Sequence, residues 1–266
     1  MADRAALGRI PLVLVVPALL CVAVLAGPVI GLALQAPWSS LSQELRAPET
    51  LSALRLSLTT ATASMVLCLL LGVPLAWVLA RVPFRGRKLV RALVTVPLVL
   101  PPVVGGIALL VTLGRKGVVG GPLADVFGVQ IPFTVAAVVI AQTFVALPFL
   151  VLSVEGALRS ADSRFDEVAA SLGAGRWWTF ARVTMPLVGP GVVSGAVLAW
   201  ARALGEFGAT ITFAGSTPGA TQTMPLEIYA RYNADRDAAL VLSLLLLAVS
   251  VLVLTALRER WMGTAG

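Results

Sequence analysis

Long apolar runs separated by short charged segments organise the chain. Five of them, 10–34, 56–80, 92–113, 131–154 and 238–257, carry little or no charge. Each is long enough to cross a bilayer as a helix, which takes about 20 residues. A sixth run, 187–214, spans only if Arg202 and Glu206 are tolerated inside it. The pattern predicts an all-α membrane protein with six transmembrane helices, forming a single transmembrane domain over residues 1–266. Prolines and glycines interrupt several runs, most densely in "VPLVLPPVVGG" (96–106). Transmembrane helices accept such breakers where neighbouring helices shelter the freed backbone groups, so the third span is expected to be kinked. The first run follows Arg4 and Arg9 as the core of a secretory signal would. It is longer than the usual core of about 7–15 residues, and is read as a retained helix.

Composition agrees. Of 266 residues, 58% are hydrophobic and 12% charged, where a soluble domain has about 25% charged residues. Mean hydropathy is +0.95. There is no histidine, which removes the commonest general base and the commonest metal ligand. Cys21 and Cys68 lie in apolar runs without metal-like spacing, and both are expected to be buried structural thiols. No cofactor or metal is expected on this chain.

The net charge of +7 is explained by topology. With the N-terminus inside, the cytoplasmic segments hold Arg4, Arg9, Arg81, Arg85, Arg87, Lys88, Arg91, Arg159, Arg164, Arg176, Arg182, Arg258 and Arg260. The outer segments hold only Arg46, Arg115, Lys116, Arg231 and Arg236. Positive charge marks the cytoplasmic side, so both termini are expected there. The "RVPFRGRK" cluster (81–88) then reads as a topology anchor touching anionic membrane lipid rather than as a nucleic-acid site.

The longest cytoplasmic loop is 158–186, and it is unlike a simple turn. Ser163 can cap a helix whose first turn holds Asp166 and Glu167. "FDEVAASLGA" places Phe165, Val168, Ala169 and Leu172 on one stripe. Gly173 and Gly175 break that helix, and "RWWTFARV" starts a second, expected to stop at Met185-Pro186. A pair of helices skimming the membrane without a partner would also fit the pattern.

"EVAASLGAGRWWTFARVTMP" resembles the EAA loop of ABC-importer permeases, with Glu167 at the acidic position, Ala169 at the second alanine, Gly173 at the glycine and Val183–Pro186 at the end. Val168 stands where the first alanine is usual, and Met185 replaces the usual leucine. The six-helix layout extends the resemblance over nearly the whole chain and implies the type I ABC-importer permease architecture in a bacterial cytoplasmic membrane. It implies that the loop couples to a separate ATPase through Glu167, Ala169, Ala170, Gly173, Arg176 and Pro186. The small Ala169 and Ala170 would present little bulk to a docking surface, and Gly173 would allow a tight bend. Consistently, the chain lacks a G-x-x-x-x-G-K-[ST] phosphate loop. "GPLADVFG" (121–128) has no lysine and is read as a surface loop. ATP and magnesium would bind the partner ATPase dimer, so the chain is not expected to be catalytic by itself.

Within "WARALGEFGATITFAG" (200–215), Arg202 and Glu206 fall four residues apart. A charge at the centre of a membrane helix costs roughly 2.5–3.5 kcal/mol on insertion scales. In a continuous helix rising about 1.5 Å per residue, Arg202 would lie about 18 Å and Glu206 about 24 Å beyond Pro190. The two can pair, although arginine before glutamate is the poorer order on a helix. Gly205 and Gly208 offer a small-residue face for a neighbouring helix. The pair is either a structural bracket or the wall of a polar pathway, with Thr210 and Thr212 further out.

The segment 201–229 is similar to the corresponding part of molybdate-transport permeases, a branch of the molybdate/sulfate permeases. "PLVLPPVVGGIALL" (97–110) and "AQTFVALPFLV" (141–151) resemble the same branch. The resemblance implies a homodimer, an extracytoplasmic oxyanion-binding protein and a tetrahedral dianion, molybdate or tungstate, as cargo. Sulfate or thiosulfate is the alternative, since chemistry alone does not separate these anions. A secondary transporter would want inverted repeats or several intramembrane titratable groups, an intramembrane enzyme a nucleophile–base pair, and a purely structural subunit would need no coupling loop.

Overall fold

The computed structural model describes residues 12–162 and 164–262, and every described element is helical. In chain order these are α1 (Leu12–Gln35), the single turn α2 (Leu41–Glu44), α3 (Pro48–Arg81), α4 (Arg87–Val99), α5 (Pro102–Leu113), α6 (Gly120–Phe127) and α7 (Val135–Ser160). The remainder are α8 (Arg164–Ser171), α9 (Arg176–Thr179), a π-turn (Phe180–Thr184), α10 (Met185–Leu204), α11 (Gly208–Phe213), α12 (Met224–Ala234) and α13 (Arg236–Met262). Arg4, Arg9 and Ser163 lie outside the described residues, as do the side chains of Arg258 and Arg260.

Five helical stretches are long and apolar enough to cross a membrane: α1, α3, α7, the continuous Arg176–Leu204 and the first part of α13. A sixth is complete if α4 and α5 count as one bent span. The expected kink in 92–113 is in fact a break, with the two helices inclined at 118°. Its cause is Pro101-Pro102: a residue before proline is pushed out of the α region, and Leu100 and Pro101 take extended ψ values of 133° and 134°.

The reverse happens at Met185-Pro186, where a stop was expected. The helix runs on from Arg176 to Leu204 because the preceding turn is π-wound, with the Met185 N–H donating to the Phe180 carbonyl. That wider register removes the usual demand on the proline position. Residues 121–128, expected to be a loop, fall almost wholly in α6, which ends on Gly128 at positive φ. Cys68 is buried as expected, whereas Cys21 is exposed on α1.

The core forms where α3, α7 and α10 pack, around Leu79, Leu150, Leu158, Trp200 and Leu204. Small residues set the spacing. A Cβ at Gly72 would meet Leu150 at 2.7 Å, and one at Gly195 would meet Ser153 at 3.0 Å. Cross-helix hydrogen bonds add direction: Ser153 donates to the Gly191 carbonyl at 3.0 Å and Trp200 Nε1 to Thr62 Oγ1 at 3.2 Å. Such close backbone approach replaces the hydrophobic effect as the source of packing energy in lipid.

A second cluster joins α5, α7 and α11 around Val138, Ala141, Ala209 and Phe213. Here α5 and α11 meet almost backbone to backbone. A Cβ on Gly106 would sit 2.7 Å from the Ala209 carbonyl oxygen, and one on Gly208 would sit 2.8 Å from Pro102 Cβ. Gly106→Ala should therefore destabilise by about 1–3 kcal/mol, the usual cost of overpacking. Gly156→Ala, where a Cβ meets nothing within 4 Å, should stabilise by about 0.5–1 kcal/mol through helix propensity. Thermal unfolding of the purified protein in detergent checks both signs.

Candidate functional site

Two regions hold the residues singled out by sequence. The first is the break between α10 and α11. The long helix ends at Leu204, with Gly205 as its C-cap, so the expected single helix over 187–214 is two helices. Arg202 lies in the last turn of α10, and Glu206 lies just before α11. Glu206 Oε2 sits 2.6 Å from Arg202 Nη1, and Glu206 Oε1 accepts a hydrogen bond of 2.8 Å from the Ala209 N–H.

This placement reverses the expected penalty for residue order. Within one helix, arginine before glutamate opposes the dipole. Across a break, the cation sits at the carbonyl end of α10 and the carboxylate at the amide end of α11, so both dipoles are matched. The carboxylate also satisfies an α11 N–H that has no intrahelical partner. Glu206 is only 1% exposed, while the Arg202 side chain is 27% exposed. The pair thus presents its positive member outward.

The two glycines diverge. Gly208 packs against Pro102, but Gly205 is exposed, and among the described residues no neighbouring helix covers it. Gly205 and Phe207 instead border a cavity of about 450 Å³ whose far wall is α12 and α13, with the Phe207 and Tyr229 rings 5.1 Å apart. Thr210 is fully buried, and among the described residues its hydroxyl has no hydrogen-bond partner. Thr212 bonds locally to the Gly208 carbonyl.

The second region is the 158–186 loop. Asp166 and Glu167 occupy the first turn of α8. Its end is a Schellman motif: Ala174 N–H donates to the Ala169 carbonyl, Gly173 N–H to that of Ala170, and Gly173 takes φ +86°. The expected stripe is real. Phe165, Val168, Ala169 and Leu172 line one groove of about 620 Å³ with Trp178 and Val183. Phe165, Val168 and Leu172 are 55–82% exposed, an apolar patch of the kind that marks an interaction surface. Ala169 is buried at its floor, so of the two alanines only Ala170 is exposed. Glu167 and Arg176 are exposed, and Pro186 lies in the first turn of α10.

Sequence reading missed three polar clusters. Glu155, 4% exposed on α7, takes Arg91 of α4 at 2.5 Å and Arg159 at 2.9 Å. The Glu155/Arg159 spacing of four, in the favourable order, was a usable signal; Arg91 was not foreseeable. Asp166 bonds Thr184 and faces Arg81. At the opposite end, Glu227 holds Arg231 Nε at 2.8 Å, a bond that raises the arginine's pKa further.

The fold and these sites are those of a multi-pass membrane permease. Residues 72–263 match the family described as "Binding-protein-dependent transport system inner membrane component", and the chain belongs to that family. It is 52% identical over 247 residues to the "Molybdenum transport system permease protein ModB" of Mycobacterium tuberculosis (strain ATCC 25618 / H37Rv), covering 92% of each chain. The protein of the same name from Escherichia coli (strain K12) is 38% identical over 210 residues, 79% of this chain and 92% of that one. Among solved structures, a bacterial ABC transporter involved in the import of the acidic polysaccharide alginate superposes with a TM-score of 0.75 at 19% identity, covering 94% of each chain. That likeness concerns the fold. The chain is an inner-membrane subunit of an ABC importer.

The broken helix generates a graded expectation. Glu206→Ala removes both the α11 cap and the partner of Arg202, and should lower stability by about 3–5 kcal/mol, as for a broken buried pair. Glu206→Gln keeps an acceptor for the Ala209 N–H and should lose clearly less. Unfolding midpoints in detergent rank the two; equal losses would show that the cap contributes nothing.

Proposed function

We propose that this chain is the permease of an ATP-driven importer of molybdate, with tungstate as a chemically equivalent cargo. The observation that carries the reading is the 52% identity over 92% of the chain to a molybdenum transport permease. Two copies enclose one path, an extracytoplasmic binding protein delivers the dianion, and two cytoplasmic ATPase subunits hold ATP and magnesium. Both termini lie in the cytoplasm, with the arginine-rich segments.

The site geometry supports this chemistry. A tetrahedral dianion needs hydrogen-bond donors and little fixed negative charge along its way. Glu206 is buried and engaged by Ala209 and Arg202, so the segment offers the partly exposed guanidinium rather than a free carboxylate. In this reading Arg202 and Gly205 face the path, and the buried Glu206, Gly208 and Thr210 support that wall from within the bundle.

The exposed stripe of α8 seats in a groove of the ATPase. Glu167, Ala169, Ala170, Gly173, Arg176 and Pro186 belong to this coupling element. ATP binding closes the ATPase pair and draws the two loops together; the helices rock and the outer gate opens. Hydrolysis and product release restore the inward-facing state.

Gly173 supplies the test. A Cβ there meets nothing within 4 Å inside the chain, so a larger side chain acts through the positive φ, at about 1–2 kcal/mol, and by projecting towards the docked partner. In proteoliposomes holding the permease, ATPase and binding protein, the parent complex should take up molybdate only with ATP. An assembled Gly173→Leu complex should lose binding-protein-stimulated hydrolysis and uptake. Normal stimulation in that complex, or uptake of sulfate in preference to molybdate, would contradict the reading.

A further inference from the structure

The coupling helix borders two separate grooves. Phe165, Val168 and Leu172 line one groove, whereas Asp166 and the exposed Ala170 border another, of about 380 Å³, against the end of α3. Among the described residues, the polar links from α8 to the membrane helices converge on Asp166. Its Oδ1 accepts a 2.8 Å hydrogen bond from Thr184 Oγ1. Its Oδ2 lies 3.6 Å from Arg81 Nη2, in the last turn of α3.

Arg81 extends the link, since the same Nη2 donates to the Ala161 carbonyl at the end of α7 at 3.4 Å. Thr184 extends it in the other direction. It closes the π-turn through which α9 runs into α10, the helix whose last turn carries Arg202. One carboxylate therefore joins the loop to all three helices of the main core. An edge-to-face contact between Trp77 of α3 and Phe180 of the π-turn, with centroids 6.0 Å apart, backs the same junction.

We propose that Asp166 is a positioning residue for ATP-driven transport: it transmits displacement of α8 to α3 through Arg81 and to α10 through Thr184. Docking uses the exposed Phe165, Val168 and Leu172 stripe, and transmission uses the Asp166 carboxylate. The inference rests on the coupling role assigned to α8 above. Two features make it separable from folding. The Arg81 and Asp166 side chains are 20% and 27% exposed and 3.6 Å apart, so removing the carboxylate leaves an arginine that still reaches solvent. The π-turn is a widened, locally adjustable segment of a kind that recurs at functional sites.

The experiment compares Asp166→Ala and Thr184→Val in the full complex, with permease, ATPase, binding protein and molybdate in proteoliposomes. Three quantities are read: copurification of the ATPase, basal ATP hydrolysis, and the stimulation of hydrolysis by molybdate-loaded binding protein. In Asp166→Ala the first two should be unchanged and the stimulation should fall roughly tenfold, a typical coupling between linked sites. Thr184→Val removes one arm and should lower stimulation by less. Stimulation of Asp166→Ala equal to the parent overturns the proposal. Loss of the ATPase from an otherwise intact Asp166→Ala permease also overturns it, because Asp166 would then be a docking residue. If Asp166→Ala does not assemble, Thr184→Val decides, and its normal stimulation overturns the tether. Failure of the parent permease to bind any ATPase would instead remove the coupling role of α8 itself.

Discussion

Inside an apolar bundle, no water is available to satisfy a stray charge or an unpaired backbone group. The α10–α11 break shows how this chain meets that constraint. Interrupting the helix at Gly205 frees amides and carbonyls, and inserting Arg202 and Glu206 adds two charges. Each problem answers the other: Glu206 caps α11 through the Ala209 N–H and neutralises Arg202, and each charge lies at the helix end whose dipole favours it. The result is a polar bend that needs no outside partner for its carboxylate and leaves the guanidinium partly exposed.

The rest of the fold is arranged around that bend. Because α11 is short, it is stable only when packed, and Gly106 and Gly208 let α5 come close enough to hold it. The α4–α5 bend at Pro101-Pro102 brings α5 to that position. At the other end of α10, the π-turn joins the helix without interruption to the loop helices. A single continuous element, Arg176–Leu204, therefore runs from the 158–186 loop to the ion pair. Displacement at one end has a direct mechanical route to the other.

Much of this was legible in residue order, for physical reasons. Apolar length predicts helices in lipid, and the three-and-four spacing of Phe165, Val168, Ala169 and Leu172 predicted the face that the structure exposes. The spacing of Arg202 and Glu206 predicted their pairing. The break between them was not legible, because "ALGEFGATI" is apolar and helix-compatible apart from its glycines, and the packing of Gly208 on Pro102 is a long-range fact. Met185-Pro186 misled in the opposite sense, since a π-turn removes the hydrogen bond that proline would have lost. Arg91 with Glu155, and Arg81 with Asp166, are pairs between separate elements; no local spacing encodes them.

In the proposed function, the Arg202–Glu206 pair serves the anion's path as well as the bend. The measurement that bears most directly on this is ATP-dependent molybdate uptake by the double replacement Arg202→Met with Glu206→Gln. Buried ion pairs often tolerate neutral replacements of similar volume, and glutamine retains an acceptor for the Ala209 N–H. The predicted result is a complex that assembles and binds its ATPase at normal levels yet transports molybdate poorly. Full uptake at normal expression would contradict the pathway role and leave the pair as a structural bracket.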